Sequence, residues 1–228
     1  MNLRAHESPA HAAHATHAAR ILAPLAAALL ALLALATPAH GAVPSAATST
    51  VPSCMALCPF GDLPFTVVVR DIASNPVTAS MVVLDLSGCP LANLCISVPQ
   101  PGLIVDLGAR TIRGFTDASG SITFAAHVGG TGPAGSVRLF ADGVLLRSYA
   151  LASPDQDGNG IVGTTLGTDG PLFSARLGTS DARADFDCSG IVDGADQTIF
   201  FQHQSQACGG FVDPARRSSW GVVKLHYR

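Results

Sequence analysis

The pattern of hydrophobic and polar positions divides the chain into three stretches. Residues 21–36 are an uncharged apolar run, residues 65–151 alternate β-branched runs with turn signals, and the segment after residue 154 is rich in Asp and Gly. Short strands separated by turn signals at regular spacing are typical of a β-sandwich. We predict strands at 65–70, 78–86, 94–98, 103–107, 111–116, 121–128, 136–140 and 144–151.

Two of the turns between these strands have hairpin chemistry. Asp117-Ala118-Ser119-Gly120 separates the strands predicted at 111–116 and 121–128, and Ala141-Asp142-Gly143 separates the last two. Asp and Gly supply the backbone conformations that tight β-turns require. We therefore expect a hairpin at each of these turns.

The first 41 residues have the order of a secretory signal. Arg4 and Arg20 precede the apolar run, and Ala39-His40-Gly41 follows it as a small-x-small cleavage pattern. The run is shorter than the roughly 20 residues that a membrane span needs. We expect residues 1–41 to be removed and the product to be secreted, extracellular or at the cell surface, without a membrane span. A retained membrane anchor is the alternative.

Composition narrows the function classes. With 13 Lys and Arg against 16 Asp and Glu, the net charge is −3, which argues against a nucleic-acid binder held by phosphate contacts. Only 13% of residues are charged and 48% are hydrophobic, which argues against wholesale disorder. Glu7 is the only Glu, so nearly every acid is Asp, a residue suited to turns and to loops that offer oxygen ligands.

Six cysteines follow the predicted signal peptide, and an even number in an exported chain predicts disulfides. We expect Cys188 to pair with Cys208. The other four are expected to pair among themselves: Cys54, Cys58, Cys89 and Cys95. Zinc bound by these four is the alternative, but their C-x3-C and C-x5-C spacing is a poor match to a zinc knuckle.

The pattern D-x-D-x-[NS]-G-I-V occurs twice, at Asp155 and again 30 residues later at Asp185. Calcium prefers six to eight oxygen ligands, and this spacing supplies them from positions 1, 3 and 5 of a loop, with Gly at 6 for the bend and a backbone carbonyl at 7. A single copy could be a simple turn, whereas two matched copies indicate a repeated cation loop.

The second copy fills the calcium template, and the first departs from it. The ligands predicted in the second loop are Asp185, Asp187, Ser189, the carbonyl of Ile191, Asp193 and a closing Asp196. In the first loop position 12 is Leu166, which cannot bind through its side chain, so we align Asp169 as the closing residue after a three-residue insertion. The first loop then offers Asp155, Asp157, Asn159, the carbonyl of Ile161 and Asp169. We expect two calcium sites, the second being the tighter.

Closure by Asp, with the apolar residues Ile199, Phe200 and Phe201 after it, resembles the type I dockerin family. The resemblance implies a small α-helical module of paired F-hand loops over residues 153–209, each loop followed by one helix, and a cohesin-like protein or cell-surface partner. Recognition residues of that family stand at loop positions 10 and 11. Here those positions are Thr164-Thr165 and Gly194-Ala195 rather than the frequent Ser-Thr, which weakens the expectation of cohesin binding.

Residues 63–151 resemble bacterial immunoglobulin-like modules and related carboxypeptidase-regulatory-like sandwiches. The shared motifs are V-x-V-R-D, N-P-V, V-V-L-D and T-D-A-S-G-S-I-T-F. The expected fold is therefore mostly β: an immunoglobulin-like β-sandwich over 54–152, followed by the helical dockerin-like calcium module. Residues 42–53 are small and Pro-rich and are predicted to be a linker, while 210–228 form a basic and aromatic tail.

These features favour an exported, non-catalytic calcium-binding protein that mediates attachment or assembly at the cell surface or outside the cell. The alternative is an accessory of extracellular polysaccharide degradation that docks on a cohesin-type scaffold and contacts glycan. A hydrolase is disfavoured, because the chain after residue 41 has no Glu and no nucleophile motif such as G-x-S-x-G.

Overall fold

The structure, a computed structural model, describes residues 42–96, 99–163 and 168–208. The predicted signal peptide, the tail at 210–228 and Thr164-Thr165 lie outside the described residues. The described residues from Val43 onward belong to one compact unit. Within them, no helix combines the length and apolar character that crossing a membrane requires.

The described residues form nine strands followed by two short helices. The strands are β1 (Phe65–Val68), β2 (Met81–Asp85), β3 (Asn93–Leu94), β4 (Ile104–Asp106), β5 (Thr111–Phe115), β6 (Ser121–Phe124), β7 (Val128–Gly129), β8 (Gly132–Ala141) and β9 (Val144–Leu151). The helices are α1 (Asp169–Ser174) and α2 (Gly194–Gln202).

All strand pairs are antiparallel and they form three sheets. The largest has five strands in the order β4-β5-β2-β8-β9, and two smaller sheets pair β1 with β6 and β3 with β7. In the large sheet, Leu84 of β2 lies opposite Ile112 on one side and Leu139 on the other. The prediction of a mostly β chain is confirmed.

Alternation along the strands produces the buried face, because successive side chains of a strand point to opposite sides. Val82 and Leu84 of β2 are fully buried while their neighbours are half-buried, and β6 buries Ile122 and Phe124. The five-stranded sheet and the sheet of β1 and β6 approach each other closely at Gly114 of β5, where an added Cβ would lie 2.5 Å from Cδ1 of Ile122. A side chain at residue 114 would force the end of the Ile122 side chain to move, so glycine suits the place where β6 packs against β5.

The hairpin expected at Ala141-Asp142-Gly143 is confirmed. Asp142 and Gly143 both have positive φ, 46° and 83°, as a two-residue type I′ turn requires, and β8 and β9 pair on either side of it. At Asp117–Gly120 the expected turn forms, with the N–H of Gly120 donating to the carbonyl oxygen of Asp117 at 3.0 Å. The expected hairpin pairing is wrong, because β5 pairs with β2 and β4 whereas β6 pairs with β1. Thr116 explains the change of sheet: it exchanges hydrogen bonds with Ser80, which keep it beside β2.

The segment expected to be a linker is hydrogen-bonded to β1. The backbones of Thr50 and Val68 exchange two hydrogen bonds of 2.8 and 2.9 Å, and the hydroxyl of Thr48 donates to the carbonyl oxygen of Asp71 at 2.7 Å. These contacts make residues 45–50 part of the folded unit.

Beyond β9, a second apolar core lies beneath the Asp-rich loops. Its buried members are Ala152, Val162, Phe173, Ala184, Phe186, Val192 and Phe200. The rings of Phe173 in α1 and Phe200 in α2 stack with centroids 4.7 Å apart, and Phe186 stacks on Phe173 at 5.7 Å. Stacked aromatic rings of this size dominate the burial of a small core.

The predicted disulfide pairing is wrong. Cys54 is bonded to Cys188 and Cys95 to Cys208, while Cys58 and Cys89 are buried free thiols. The expected partners are close in sequence, but the fold brings loop two against the segment before β1 and residue 208, which follows α2, against the segment after β3. The two bonds thus join the strand region to the Asp-rich segment twice.

Candidate metal centre

The first Asp-rich loop is built around the carboxylate of Asp155, which is fully buried. Its Oδ2 accepts a hydrogen bond from the backbone N–H of Gly160 at 2.8 Å, and its Oδ1 accepts from Gly158 at 2.9 Å. The next carboxylate, Asp157, accepts from the N–H and the side-chain amide of Asn159, both at 2.9 Å. Backbone N–H groups of the loop thus donate to the loop's own carboxylates, which is the local hydrogen bonding that Asp makes in turns.

Asp169, the first residue of α1, closes this loop. Its Oδ2 accepts from the N–H of Gly163 at 2.7 Å, and its Oδ1 accepts from the N–H groups of Gln156 and Asp157 at 2.5 and 3.0 Å. Asp169 is fully buried and stands at the start of a helix, where the exposed N–H groups favour negative charge.

The second loop repeats these hydrogen bonds. Oδ2 of Asp185 accepts from the N–H of Gly190 at 2.9 Å, as Asp155 does from Gly160. Asp196 accepts from Phe186 at 2.6 Å and from Asp193 at 2.9 Å, as Asp169 does from the corresponding residues of loop one. Asp169 and Asp196 therefore hold equivalent positions, although Asp169 comes three residues later in its loop.

Two groups of three carboxylates result: Asp155, Asp157 and Asp169 in one, and Asp185, Asp187 and Asp196 in the other. Within each group the carboxylate oxygens lie within 4.8 Å of one another, so each group could hold a metal ion. Six of the predicted metal ligands are thus brought together in two matched sets.

The other predicted ligands have local partners. The side-chain oxygen of Asn159 accepts from the N–H of Ile161 at 2.8 Å, and the hydroxyl of Ser189 donates to the carbonyl oxygen of Ile191 at 2.9 Å. Asp193 lies outside the second carboxylate group and caps α2, accepting from the N–H of Ala195 at 2.7 Å. Their roles as direct ligands stay predictions.

Burial of like charges sets the electrostatics of the two groups. Loss of solvent raises the pKa of Asp155 to about 7, and the neighbouring carboxylates of Asp169 and Asp157 add to the rise. Burial likewise raises the pKa of Asp169 and of Asp185. Exposed Asp187 behaves oppositely, since the N–H of Ser189 lowers its pKa. The buried carboxylates are sites where a bound cation would offset the repulsion.

Each loop is anchored by the residue that follows its Ile. Val162 and Val192 are buried in the core beneath the loops. Val162 exchanges backbone hydrogen bonds with residues 205 and 206, after α2, and Val192 with residues 178 and 179, after α1. Each loop is therefore held by the segment that follows the other loop's helix, which is the arrangement of two interlocked copies.

A third group of candidate ligands was not predicted from the sequence. The ligand atoms of Cys58, Asp62 and His203 also lie within 4.8 Å of one another. Cys58 and Asp62 are four residues apart, but His203 lies more than 140 residues further along the chain. No sequence pattern therefore links the three residues.

Comparison of the chain with models of known protein families, with curated protein sequences and with solved structures returned no match.

Proposed function

We propose that this is an exported, non-catalytic calcium-binding protein that mediates attachment or assembly at the cell surface or outside the cell. The observation that carries the proposal is the pair of matched carboxylate groups, each with the same backbone hydrogen bonds. Disulfides linking distant parts of the chain are compatible with an extracellular location, where oxidising conditions preserve them.

The donor chemistry supports calcium as the cation. Both groups offer only oxygen, and hard divalent cations such as calcium prefer carboxylate, amide and carbonyl oxygens. Each loop also carries neutral oxygens, on the side chains of Asn159 and Ser189 and on the carbonyls of Ile161 and Ile191, which we propose as further ligands. Calcium accepts such irregular sets more readily than magnesium, which demands near-octahedral geometry.

The architecture that we propose is an immunoglobulin-like sandwich carrying a dockerin-like calcium module. Supporting observations are the two short helices that follow the two loops, and the equivalent places of Phe173 and Phe200 in their shared core. The strand region and the loops belong to one compact unit. Calcium in the loops would then stabilise the end of the molecule that presents the helices.

Calcium-dependent thermal stability tests this function. The whole chain, with its disulfides intact, is melted with EDTA and with excess calcium. We expect calcium to raise Tm, because binding to the folded state alone adds RT ln(1 + [L]/Kd), about 2.7 kcal/mol at a hundredfold excess over Kd. Asp185→Ala should remove most of this shift.

Asp106→Ala is the matched control, since it removes one half-buried Asp at the end of β4, far from the loops in sequence, and should retain the calcium shift. A wild-type chain whose Tm is the same in EDTA and in calcium would refute calcium binding.

A second candidate function is that of an accessory in extracellular polysaccharide degradation, docking on a cohesin-type scaffold. A groove between α1 and α2, lined by Pro171, Ser174, Gln197 and Phe201 among others, favours a protein partner on this face. Phe201 is 53% exposed, so the groove presents an apolar ring to a partner. Calcium-dependent capture of a purified cohesin domain would support this candidate. Failure to capture that domain would favour attachment through a different partner.

A further inference from the structure

We propose that Cys58, Asp62 and His203 bind a transition-metal ion of the zinc class, at a site distinct from the two carboxylate loops. The site joins the turn before β1 to the end of α2. Sulfur, imidazole nitrogen and carboxylate oxygen are the three donor types that zinc combines in proteins. Calcium avoids sulfur and nitrogen, so the two kinds of site select different ions.

His203 points an unpartnered nitrogen into the site. Its Nδ1 lies 2.6 Å from the carbonyl oxygen of Ile199, and because a carbonyl can only accept, Nδ1 carries the proton. In the neutral ring Nε2 then has a free lone pair. Nε2 is buried, has no hydrogen-bond partner among the described residues, and lies 3.2 Å from Oδ1 of Asp62. A bound metal ion would give this buried acceptor a partner.

Cys58 contributes a buried thiol to the same point. Its Sγ lies 2.7 Å from Oδ1 of Asp62, the oxygen that also faces His203. Burial raises the pKa of Cys58 to about 12, so the free group is a thiol rather than a thiolate. On metal binding the S–H bond is replaced by a metal–sulfur bond and the proton passes to water, since a coordinating thiol is deprotonated.

The spacing of the donors suits a tetrahedral ion. Zinc–nitrogen and zinc–oxygen bonds of about 2.0–2.1 Å place two such ligands roughly 3.3 Å apart, close to the 3.2 Å between His203 and Asp62. The sulfur must move away from the carboxylate by a little under ~1 Å, because a longer zinc–sulfur bond of about 2.3 Å widens that edge. The side chain of Asp62 is 41% exposed, so solvent reaches the site and water could supply the fourth ligand.

Each donor is held by a second partner, which is typical of metal ligands. Ile199 orients His203, and the side-chain amide of Gln206 donates to Oδ2 of Asp62 at 2.9 Å. The backbone N–H of Gly61 donates to Sγ of Cys58 at 3.2 Å. Gly61 has φ 82°, and a Cβ there would lie 2.5 Å from Nε2 of His127, so only glycine fits this turn.

The end of α2 also favours a cation. His203 is the C-cap of this nine-residue helix, where the last carbonyl groups create a partial negative charge. The ion would link residues 58 and 62 to residue 203, alongside the disulfides that already connect the same two parts of the chain.

Cobalt(II) substitution of the whole chain tests the proposal. The protein is stripped with a chelator, saturated with calcium so that the acidic loops are filled, and titrated with cobalt(II) and zinc(II). We expect one equivalent of cobalt to produce thiolate charge-transfer absorption, which zinc displaces. Cys58→Ser should abolish this absorption, and His203→Gln or Asp62→Asn should weaken zinc binding about 100-fold or more.

Two further variants separate a metal site from general damage. Cys89→Ser changes the other buried free thiol and should leave cobalt absorption unchanged. Gln206→Leu, which removes only the partner of Asp62, should weaken zinc binding by about tenfold.

If Cys58→Ser does not fold, X-ray absorption spectroscopy of the zinc-loaded wild type still tests the proposal. We expect one sulfur at about 2.3 Å from zinc. Zinc surrounded only by nitrogen and oxygen, or charge-transfer absorption that persists in Cys58→Ser, would overturn the proposal. So would the absence of zinc binding in calcium, since an imidazolium–carboxylate pair between His203 and Asp62 would then explain the geometry.

Discussion

The two Asp-rich loops share one hydrogen-bond pattern but sit in different surroundings. Loop one (residues 155–169) is embedded: Gly158 and Gly130 press against the backbone carbonyl of Leu91, and Asp155 is fully buried. Loop two (residues 185–196) is more open, with Ser189 and Ile191 exposed and free space around Gly190. Matched carboxylate groups therefore do not imply equal roles, because burial decides how much each loop depends on its neighbours.

The difference also concerns how each loop is attached to the strand region. Loop two is held covalently through Cys188, whereas loop one is held by packing and by Cys208, whose N–H donates to the carbonyl of Gly160 at 2.9 Å. An open loop fixed by a covalent bond and a buried loop fixed by contacts should respond differently to substitution.

The largest expected effect on stability comes from removing the disulfide that holds loop two. Replacing Cys54 and Cys188 together by Ser should lower the free energy of unfolding by about 4 kcal/mol, because the bond closes a loop with a sequence separation of 134. Denaturant unfolding with and without calcium measures this loss. Replacing Cys95 and Cys208, separated by 113 residues, should have a similar effect. Stability unchanged in both variants would show that packing alone holds the loops.

A smaller effect on stability is expected from adding a side chain where loop one contacts the backbone of Leu91. Gly158→Ala places a Cβ on the carbonyl oxygen of Leu91, which as backbone cannot move aside, and φ is 75° there. We expect a loss of about 3 kcal/mol in unfolding free energy. Gly190→Ala is the control in loop two: its φ of 90° is similar but nothing lies within 4 Å, so about 1 kcal/mol should be lost. Equal losses of unfolding free energy in the two variants would show that loop one is not packed more tightly than loop two.

The smallest effect concerns the relative calcium affinity of the loops. Loop two has Asp193 where loop one has Gly163, and an additional carboxylate raises calcium affinity. We expect loop two to bind about tenfold more tightly, or about 1.4 kcal/mol. Calorimetric titration of Asp155→Asn and Asp185→Asn assigns the two sites. Asp193→Asn should narrow the gap, since Asn retains the helix cap but not the charge. A tighter loop one would show that burial outweighs ligand charge.

Much of the fold follows from local pattern. Short β-branched runs between turn signals predict the positions of most strands, and the Asp142-Gly143 turn predicts its hairpin, because both depend on residues near in sequence. The failed hairpin at Asp117–Gly120 illustrates the limit. Its residues suit a turn, but contacts of Thr116 with the distant Ser80 decide which strand each side pairs with.

The carboxylate groups are similarly predictable. Each is formed by acids within about 15 residues of one another, and Asp169 could be aligned with Asp196 because Phe173 and Phe200 follow at the same distance. The surroundings of each loop could not be predicted in this way, because Leu91 and Gly130 come from elsewhere in the chain.

By itself, the sequence determined that the chain is mostly β and that two acidic loops with matched spacing follow the strands. Local spacing suffices for this, since strand alternation and loop ligation act over a few residues. Only the tertiary structure decided the cysteine pairing, the burial of loop one and the meeting of Cys58, Asp62 and His203. These depend on which distant surfaces pack together, and that is set by the folded core rather than by any short pattern.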